Sequence, residues 1–137
     1  MKGIVRMDIK NLIEQTNTLI SAGDEAVNRF YRMREEDRSP DFYNEVKPYA
    51  DHMQTVLQSW QQLANEYITL QRPKYVHTVQ IHNAVDAMEQ FFVQSFFKET
   101  SKKRFLQSVQ SVKYTLETLQ RAIEGGNVDV HETKNDC

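Results

Sequence analysis

The fold of this chain is decided by residues 42–70, which read FYNEVKPYADHMQTVLQSWQQLANEYITL. Apolar residues recur in this stretch at alternating steps of four and three, at Phe42, Val46, Tyr49, Met53, Val56, Trp60, Leu63, Tyr67 and Leu70. Only a helix places such positions on one face, because its turn is close to 3.5 residues. The stretch therefore predicts an amphipathic helix with one apolar stripe, here called a seam. Trp60 lies mid-seam and is expected to be core, with a partner for its indole N–H.

Three further seams surround this one, and no glycine occurs between residues 24 and 124. They are Ile9, Leu12, Thr16, Leu19, Gly23, Ala26, Phe30 and Met33; His77, Ile81, Ala84, Met88, Phe91 and Ser95; and Phe105, Val109, Val112, Leu116, Leu119 and Ile123. Short connections make consecutive helices antiparallel neighbours. The sequence thus predicts an all-α protein, an antiparallel up-and-down four-helix bundle. Gly23 either admits a close neighbour or is a tolerated weak spot.

Capping residues set the predicted boundaries of the first two helices. Asp8 is a candidate N-cap for a first helix that runs to about Glu36. Ser39-Pro40 begins the second, which runs to about Gln71. Pro48 should kink this helix or split off a short leading segment, and the unbroken seam favours the kink.

The third helix is predicted over residues 74–98, after the break at Arg72-Pro73. Thr100-Ser101 offers capping hydroxyls for the fourth, which should end near Glu124 because Gly125-Gly126 is a strong stop signal. Residues 127–137 are polar and unpatterned, which predicts a disordered tail after a bundle domain of residues 1–126.

Composition bounds the class of protein. The chain has 137 residues and a formal net charge of -2, so it has no overall attraction to nucleic acid or acidic lipid. Its single cysteine, Cys137, cannot form an internal disulfide, and neither a signal peptide nor a membrane span is evident. We expect a cytoplasmic monomer or weak dimer that binds neither membranes nor, in general, nucleic acid.

The motifs of common enzyme and metal sites are missing from the sequence. No Glu-x-x-His motif precedes any of the four histidines, His52, His77, His82 and His131, which argues against a di-iron site. The chain has one cysteine and no histidine pair at i, i+4, so the case for a zinc site is similarly weak. Glycine-rich nucleotide loops and the Gly-x-Ser-x-Gly elbow are also missing. We expect no metal, no cofactor and no enzymatic activity.

One weak motif supports an alternative function. Arg72 and His77 form Arg-x4-His, which resembles the signature of the HEPN family of helical ribonucleases. The resemblance implies a nuclease or nucleotide-handling bundle in which the arginine stabilises a phosphate and the histidine is an acid or base. The spacing is common, and here it straddles a helix junction. The simpler interpretation is that His77 closes its seam at the bundle end and Arg72 is solvated.

The best candidate site is one end of the predicted bundle, where antiparallel packing gathers eight of the fourteen aromatic residues: Phe30, Tyr31, Phe42, Tyr43, Tyr49, Phe96, Phe97 and Phe105. Arg29, Arg32, Arg34, Arg38, Lys98, Lys102, Lys103 and Arg104 accompany them, interleaved with acidic residues. Such an end could bind a partner protein or small ligand, or it could be ordinary packing with a solvated rim. The predicted binding residues are Tyr31, Arg34, Phe42, Tyr43, Phe97, Lys102 and Lys103.

The seam register sorts the rings at this end into buried and exposed. Phe30, Tyr49 and Phe105 lie on seams and should be buried. Tyr31, Tyr43 and Phe97 lie off their seams and should be exposed. Phe42 begins its seam ahead of Pro48, so its exposure is left open.

Short sequence blocks spread along the chain carry a family resemblance. They are Arg72-Pro-Lys-Tyr after Trp60, Gln94-Ser-Phe, Arg104-Phe, and residues 111–116, SVKYTL. Over about residues 8–124 the chain resembles the YppE-like family, small uncharacterised proteins of Bacillus and its relatives. The resemblance implies an up-and-down four-helix bundle and no particular activity.

Overall fold

The computed structural model describes the backbone of residues 2–136 and the side chains of residues 9–125. The described backbone contains four α-helices and one π-helical turn, and no strand. The helices are α1 (Lys2–Glu35), α2 (Lys47–Gln71), α3 (Thr78–Gln94) and α4 (Lys102–Asp136), and the π-helical turn, Phe42–Val46, directly precedes α2. The predicted all-α bundle is confirmed.

Contacts between helices show the antiparallel order. The Trp60 indole of α2 reaches Thr16 in the first half of α1, whereas Tyr49 at the start of α2 lies against Arg29 near the end of α1. Between α1 and α4, Phe30 stacks on Phe105. Each helix packs against its neighbours in sequence, and α4 closes the bundle against α1.

The seams form the core. Seven of eight positions on the first seam, five of six on the third and all six on the fourth are buried: Leu12, Thr16, Leu19, Gly23, Ala26, Phe30, Met33, Ile81, Ala84, Met88, Phe91, Ser95, Phe105, Val109, Val112, Leu116, Leu119 and Ile123. Trp60 is fully buried, and its indole N–H donates to the Thr16 hydroxyl at 2.9 Å. Both ends of the second seam, Phe42 and Leu70, are exposed instead, because the α-helix begins after one and ends just beyond the other.

Several helix boundaries differ from the prediction. α1 begins at Lys2, ahead of Asp8, and α3 begins at Thr78 and ends at Gln94, so it is shorter at both ends. Pro73 and the left-handed conformation of Arg72 keep the intervening segment out of the helix. Residues 72–77 instead cross from α2 to α3 as an irregular loop.

The end of α4 also differs from the prediction. The backbone helix continues through Gly125-Gly126 to Asp136, where an end near Glu124 was expected. No side chain after Gly125 is described. The predicted disordered tail, residues 127–137, lies outside the residues whose side chains are described, and its disorder stays a prediction.

The interruption around Pro48 is a change of helix type. Asp41 caps the π-helical turn through Asn44 N–H at 3.1 Å, and the N–H of Lys47 bonds back to the carbonyl of Phe42. Pro48 then occupies the first turn of α2, where a helix does not use the missing N–H. The π-helical turn runs directly into α2, because the backbone of Val46 and Lys47 is right-handed helical, and Val46 packs into the core.

Gly23 is buried in α1, and a Cβ placed there would meet Val109 Cγ1 at 3.8 Å, an ordinary van der Waals distance. The neighbouring helix therefore leaves room for a side chain. Of the two interpretations of Gly23, the tolerated weak spot fits the structure.

Candidate functional site

Four helix termini meet at one end of the bundle: the C-terminal ends of α1 and α3 and the N-terminal ends of α2 and α4. We call this the basic-aromatic end (residues 29–49 and 91–105). Phe30 of α1 and Phe105 of α4 stack with their ring centroids 4.5 Å apart. Tyr49 of α2 contacts Phe96 edge to face at 5.6 Å. The predicted gathering of aromatic side chains from separate parts of the chain is present.

Arg29 is the buried charge of this end. Its guanidinium carbon lies 4.5 Å from the ring centre of Tyr49 and 4.4 Å from that of Phe96. Its Nε donates to Ser95 Oγ at 2.8 Å, and that hydroxyl donates to the Phe92 carbonyl. Two ring faces and one hydroxyl thus hold the cation where a carboxylate would be usual. From the sequence, Arg29 was recognised only as one of the basic residues of this end, because nothing in its spacing predicts its burial.

Two of the three rings predicted to be exposed are exposed: the exposed fraction is 37% for Tyr31 and 76% for Tyr43. Phe42, whose exposure was left open, is 49% exposed. Phe97 is only half-buried rather than exposed, since it lies in the turn that follows α3. Tyr49 is half-buried rather than buried, whereas Phe30 and Phe105 are buried as predicted.

Two of the three predicted cations lie over aromatic rings at this end. Arg34 lies over Phe30 at 5.1 Å, and Lys102 lies over Tyr31 at 5.4 Å. Lys103 is exposed beside Lys102. None of the three cations forms an ion pair with a described residue, so their charges are available to a ligand.

Other charges at the same end neutralise each other. Lys98 Nζ donates to Asp37 at 2.5 Å, and Arg38 pairs with Glu45 at 2.6 Å. The hydrogen bond from Lys98 and its charge lower the pKa of Asp37, and the hydrogen bond from Arg38 does the same for the pKa of Glu45. These two pairs fix the segment between α1 and the π-helical turn.

Five of the seven predicted binding residues fall into two groups, and Phe97 and Lys103 belong to neither. Tyr31, Arg34 and Lys102 form the first, on α1 and α4. Phe42 and Tyr43 form the second, an edge-to-face pair at 5.3 Å on the π-helical turn. No ring–ring or cation–ring contact joins the groups among the described side chains.

Arg72 and His77 do not line the same groove. Arg72 is exposed and lines an open groove at the other end of the bundle, and His77 is not among the residues that line this groove. His77 precedes α3, and its backbone N–H donates to Gln80 Oε1 at 2.6 Å. Arg72 is solvated as expected, whereas His77 is an exposed helix cap and does not close a seam.

Neither a metal cluster nor a membrane-crossing helix occurs in the part of the chain that the structure describes. Within the described residues, no three histidine, cysteine or acidic side chains come close enough to hold a metal ion together. Among the helices as described, none has the length and apolar character needed to cross a bilayer.

Known proteins share both the sequence and the fold. Residues 16–123 match the family described as "Bacterial domain of unknown function (DUF1798)". The uncharacterized protein YppE of Bacillus subtilis is 31% identical over 114 residues, which are 83% of this chain and 93% of YppE.

Solved structures of two similar proteins have the same fold as this chain. The crystal structure of Bacillus subtilis YppE has a TM-score of 0.83 and 29% identity, covering 87% of this chain and 97% of that one. A Listeria innocua protein of unknown function has a TM-score of 0.83 and 26% identity, covering 88% and 97%. The YppE-like resemblance is confirmed, and the chain belongs to the bacterial DUF1798 family.

Proposed function

We propose that this protein is a non-enzymatic cytoplasmic bundle that binds a partner protein through its basic-aromatic end. The observation that carries the proposal is the first group of the site. There Lys102 covers the exposed ring of Tyr31 and Arg34 covers Phe30, while neither cation has a carboxylate partner among the described residues.

The chemistry of this surface suits a peptide segment that combines an apolar anchor with carboxylates. Exposed tyrosines supply large contact areas at low cost in side-chain entropy, and arginine and tyrosine are the residues that dominate protein interfaces. Arg34, Lys102 and Lys103 would pair with carboxylates at the rim. Tyr43 protrudes too far from the surface for a ring that lines an enclosed small-molecule site.

The test is capture of partners from an extract of the native bacterium by the tagged protein, followed by cross-linking to locate the contact. In the variant Tyr31→Ser/Tyr43→Ser, we expect the captured protein to be lost while the melting temperature stays within about 3 °C, since both rings are exposed. Lys102→Gln should weaken capture more strongly at low salt than at high salt.

The matched control is Tyr75→Ser/Tyr114→Ser, which removes two exposed tyrosines at the other end of the bundle. It should capture the same partner as the unsubstituted protein. Equal capture by the Tyr31/Tyr43 variant, or cross-links away from residues 29–49 and 91–105, would refute the proposal.

A further inference from the structure

The opposite end of the bundle contains an open groove of about 760 Å³ between the end of α2, the loop that follows it, and α4. This volume lies within the range of roughly 300–1,000 Å³ that is usual for small-molecule sites. The groove, here called the tyrosine groove, is lined chiefly by Arg72, Lys74, Arg121, Tyr67, Tyr75 and Tyr114.

The described side chains that line the tyrosine groove carry charge of one sign. Arg72 and Lys74 lie on the loop, and Arg121 lies on α4 across from them. No aspartate or glutamate is among the described residues that line it, and none of the three cations forms an ion pair with a described residue. A concave surface lined by several cations concentrates anions, even on a protein whose net charge is -2.

The aromatic residues of the groove offer ring faces. Tyr75 and Tyr114 are 72% and 65% exposed, and they come from the loop and from α4. Lys74 Nζ lies 5.9 Å from the ring centre of Tyr75. Tyr67 forms the base, held by a hydrogen bond from its hydroxyl to the Ala122 carbonyl at 3.1 Å. Exposed tyrosine faces next to cations are the usual platform for a planar ring such as a nucleobase.

The polar groups are partly oriented in advance. Thr118 Oγ1 donates to the Tyr114 carbonyl at 2.7 Å and accepts from Arg121 Nη2 at 3.2 Å, which aligns the guanidinium along α4. On the other side, Arg72 N–H donates to the Ile68 carbonyl at 2.9 Å while its backbone is left-handed. Cations from two separate elements thus line the same groove, and arginine binds phosphate through a fork of N–H donors.

We propose that the tyrosine groove binds a free nucleotide, with the phosphate on Arg72, Lys74 and Arg121 and the base against Tyr75 or Tyr114. The cations account for a phosphate and the rings account for a planar base. Phosphate alone would use only the cations, and an uncharged nucleoside would use only the rings. This site is separate from the basic-aromatic end and does not depend on a partner protein there.

The first experiment is titration of the unsubstituted protein with AMP, followed by amide NMR. We expect a Kd of about 1 mM or tighter, with shift changes concentrated at residues 72–75 and 114–121. Adenosine and inorganic phosphate should each bind at least about tenfold more weakly than AMP. Equal affinity for either one, or shift changes centred on residues 29–49, would overturn the proposal.

The second experiment removes the charges. Arg121→Gln and Lys74→Gln should each weaken AMP binding at least about tenfold. Arg104→Gln is the matched control, because it removes an exposed arginine from the other end of the same helix; it should bind AMP unchanged. An equal loss in all three variants, or none in the first two, would contradict the assignment. Melting temperatures check folding, and the NMR map of the unsubstituted protein decides if a variant unfolds.

Two further ligands distinguish a free nucleotide from a nucleic-acid strand and from an acidic peptide. A single-stranded oligonucleotide that binds more tightly than AMP, with the same amides shifting first, would overturn the proposal of a free nucleotide and show that the groove takes a strand. A tetraglutamate peptide should bind at least about tenfold more weakly than AMP. If it binds as tightly as AMP, the groove recognises negative charge alone and the nucleotide proposal fails.

Discussion

At the scale of the residue, two buried polar groups show how this core accommodates polarity. The Thr16 hydroxyl accepts the Trp60 indole N–H at 2.9 Å and donates to the Leu12 carbonyl at 2.7 Å, so each buried polar hydrogen has an acceptor. Both side chains are fully buried. A buried donor without a partner would cost about 1–3 kcal/mol. This pair lets a tryptophan occupy the middle of the bundle and ties α1 to α2.

We expect Trp60→Ala to lower the free energy of unfolding by about 3–5 kcal/mol, because it leaves a large cavity that the surrounding helices cannot fill. Urea denaturation followed by circular dichroism at 222 nm measures the change. Leu70→Ala is the control, since Leu70 lies on the same seam and helix but is exposed. It should cost less than about 1 kcal/mol. A similarly small loss for Trp60→Ala would show that the ring is not core.

At the scale of the element, α2 is defined by unusual backbone at both ends. It begins where the π-helical turn passes into Pro48, and it ends at Arg72, whose φ of 47° is left-handed. A residue with a Cβ pays a steric cost in that conformation, and glycine does not. The tertiary structure places this strained residue at the edge of the tyrosine groove, where our proposal assigns its charged side chain to a phosphate.

We expect Arg72→Gly to raise the free energy of unfolding by about 0.5–1 kcal/mol, because relief of the left-handed strain exceeds the extra chain entropy of the unfolded state. Thermal and urea denaturation measure it. Arg72→Ala separates the causes, since it removes the charge and keeps the strain. If the alanine variant is as stable as the glycine variant, the backbone is not the source of the gain.

At the scale of the whole molecule, charged contacts hold together the loops of the basic-aromatic end. Asp37, just after α1, pairs with Lys98, which lies between α3 and α4. Asp41 accepts hydrogen bonds from the side chain and backbone of Asn44, and these lower its pKa. The pKa values of Asp37 and Glu45 are lowered as well. These three carboxylates thus hold their protons less tightly in the folded protein than in the unfolded chain.

The sign of the pH dependence follows. With folded pKa values below the ordinary 3.8 for aspartate and 4.5 for glutamate, this contribution to stability is present above those values and is lost as the pH falls through the folded ones. We expect the urea midpoint to be nearly constant from pH 7 to about 5 and to fall below about pH 4.5.

Asp37→Asn isolates one of these groups, because asparagine tolerates the left-handed backbone at this position. The variant should show a smaller drop in midpoint between pH 7 and 3.5 than the unsubstituted protein. Added NaCl should reduce the difference, since the pair is exposed. An identical drop in both proteins would mean that the Asp37–Lys98 pair contributes nothing.

The sequence by itself determined the four helices, their antiparallel order and the core. These follow from a local property, because a turn of 3.6 residues decides which side chains share a face, whatever the neighbouring helix is. Leu12, Trp60, Met88 and Leu116 could therefore be assigned to the core from spacing alone. The exposure of Tyr31 and Tyr43 was predicted in the same way, from their position one step off a seam.

Only the tertiary structure decided the end geometry and the second candidate site. Tyr75 and Tyr114 are 39 positions apart, and no periodicity relates a loop residue to a helix face. Their common groove depends on how the loop after α2 crosses beside α4. The burial of Arg29 between Tyr49 and Phe96 likewise needs three helix ends at fixed distances. Local pattern fixes which face of a helix is apolar, whereas the relative placement of helix ends fixes which side chains meet there.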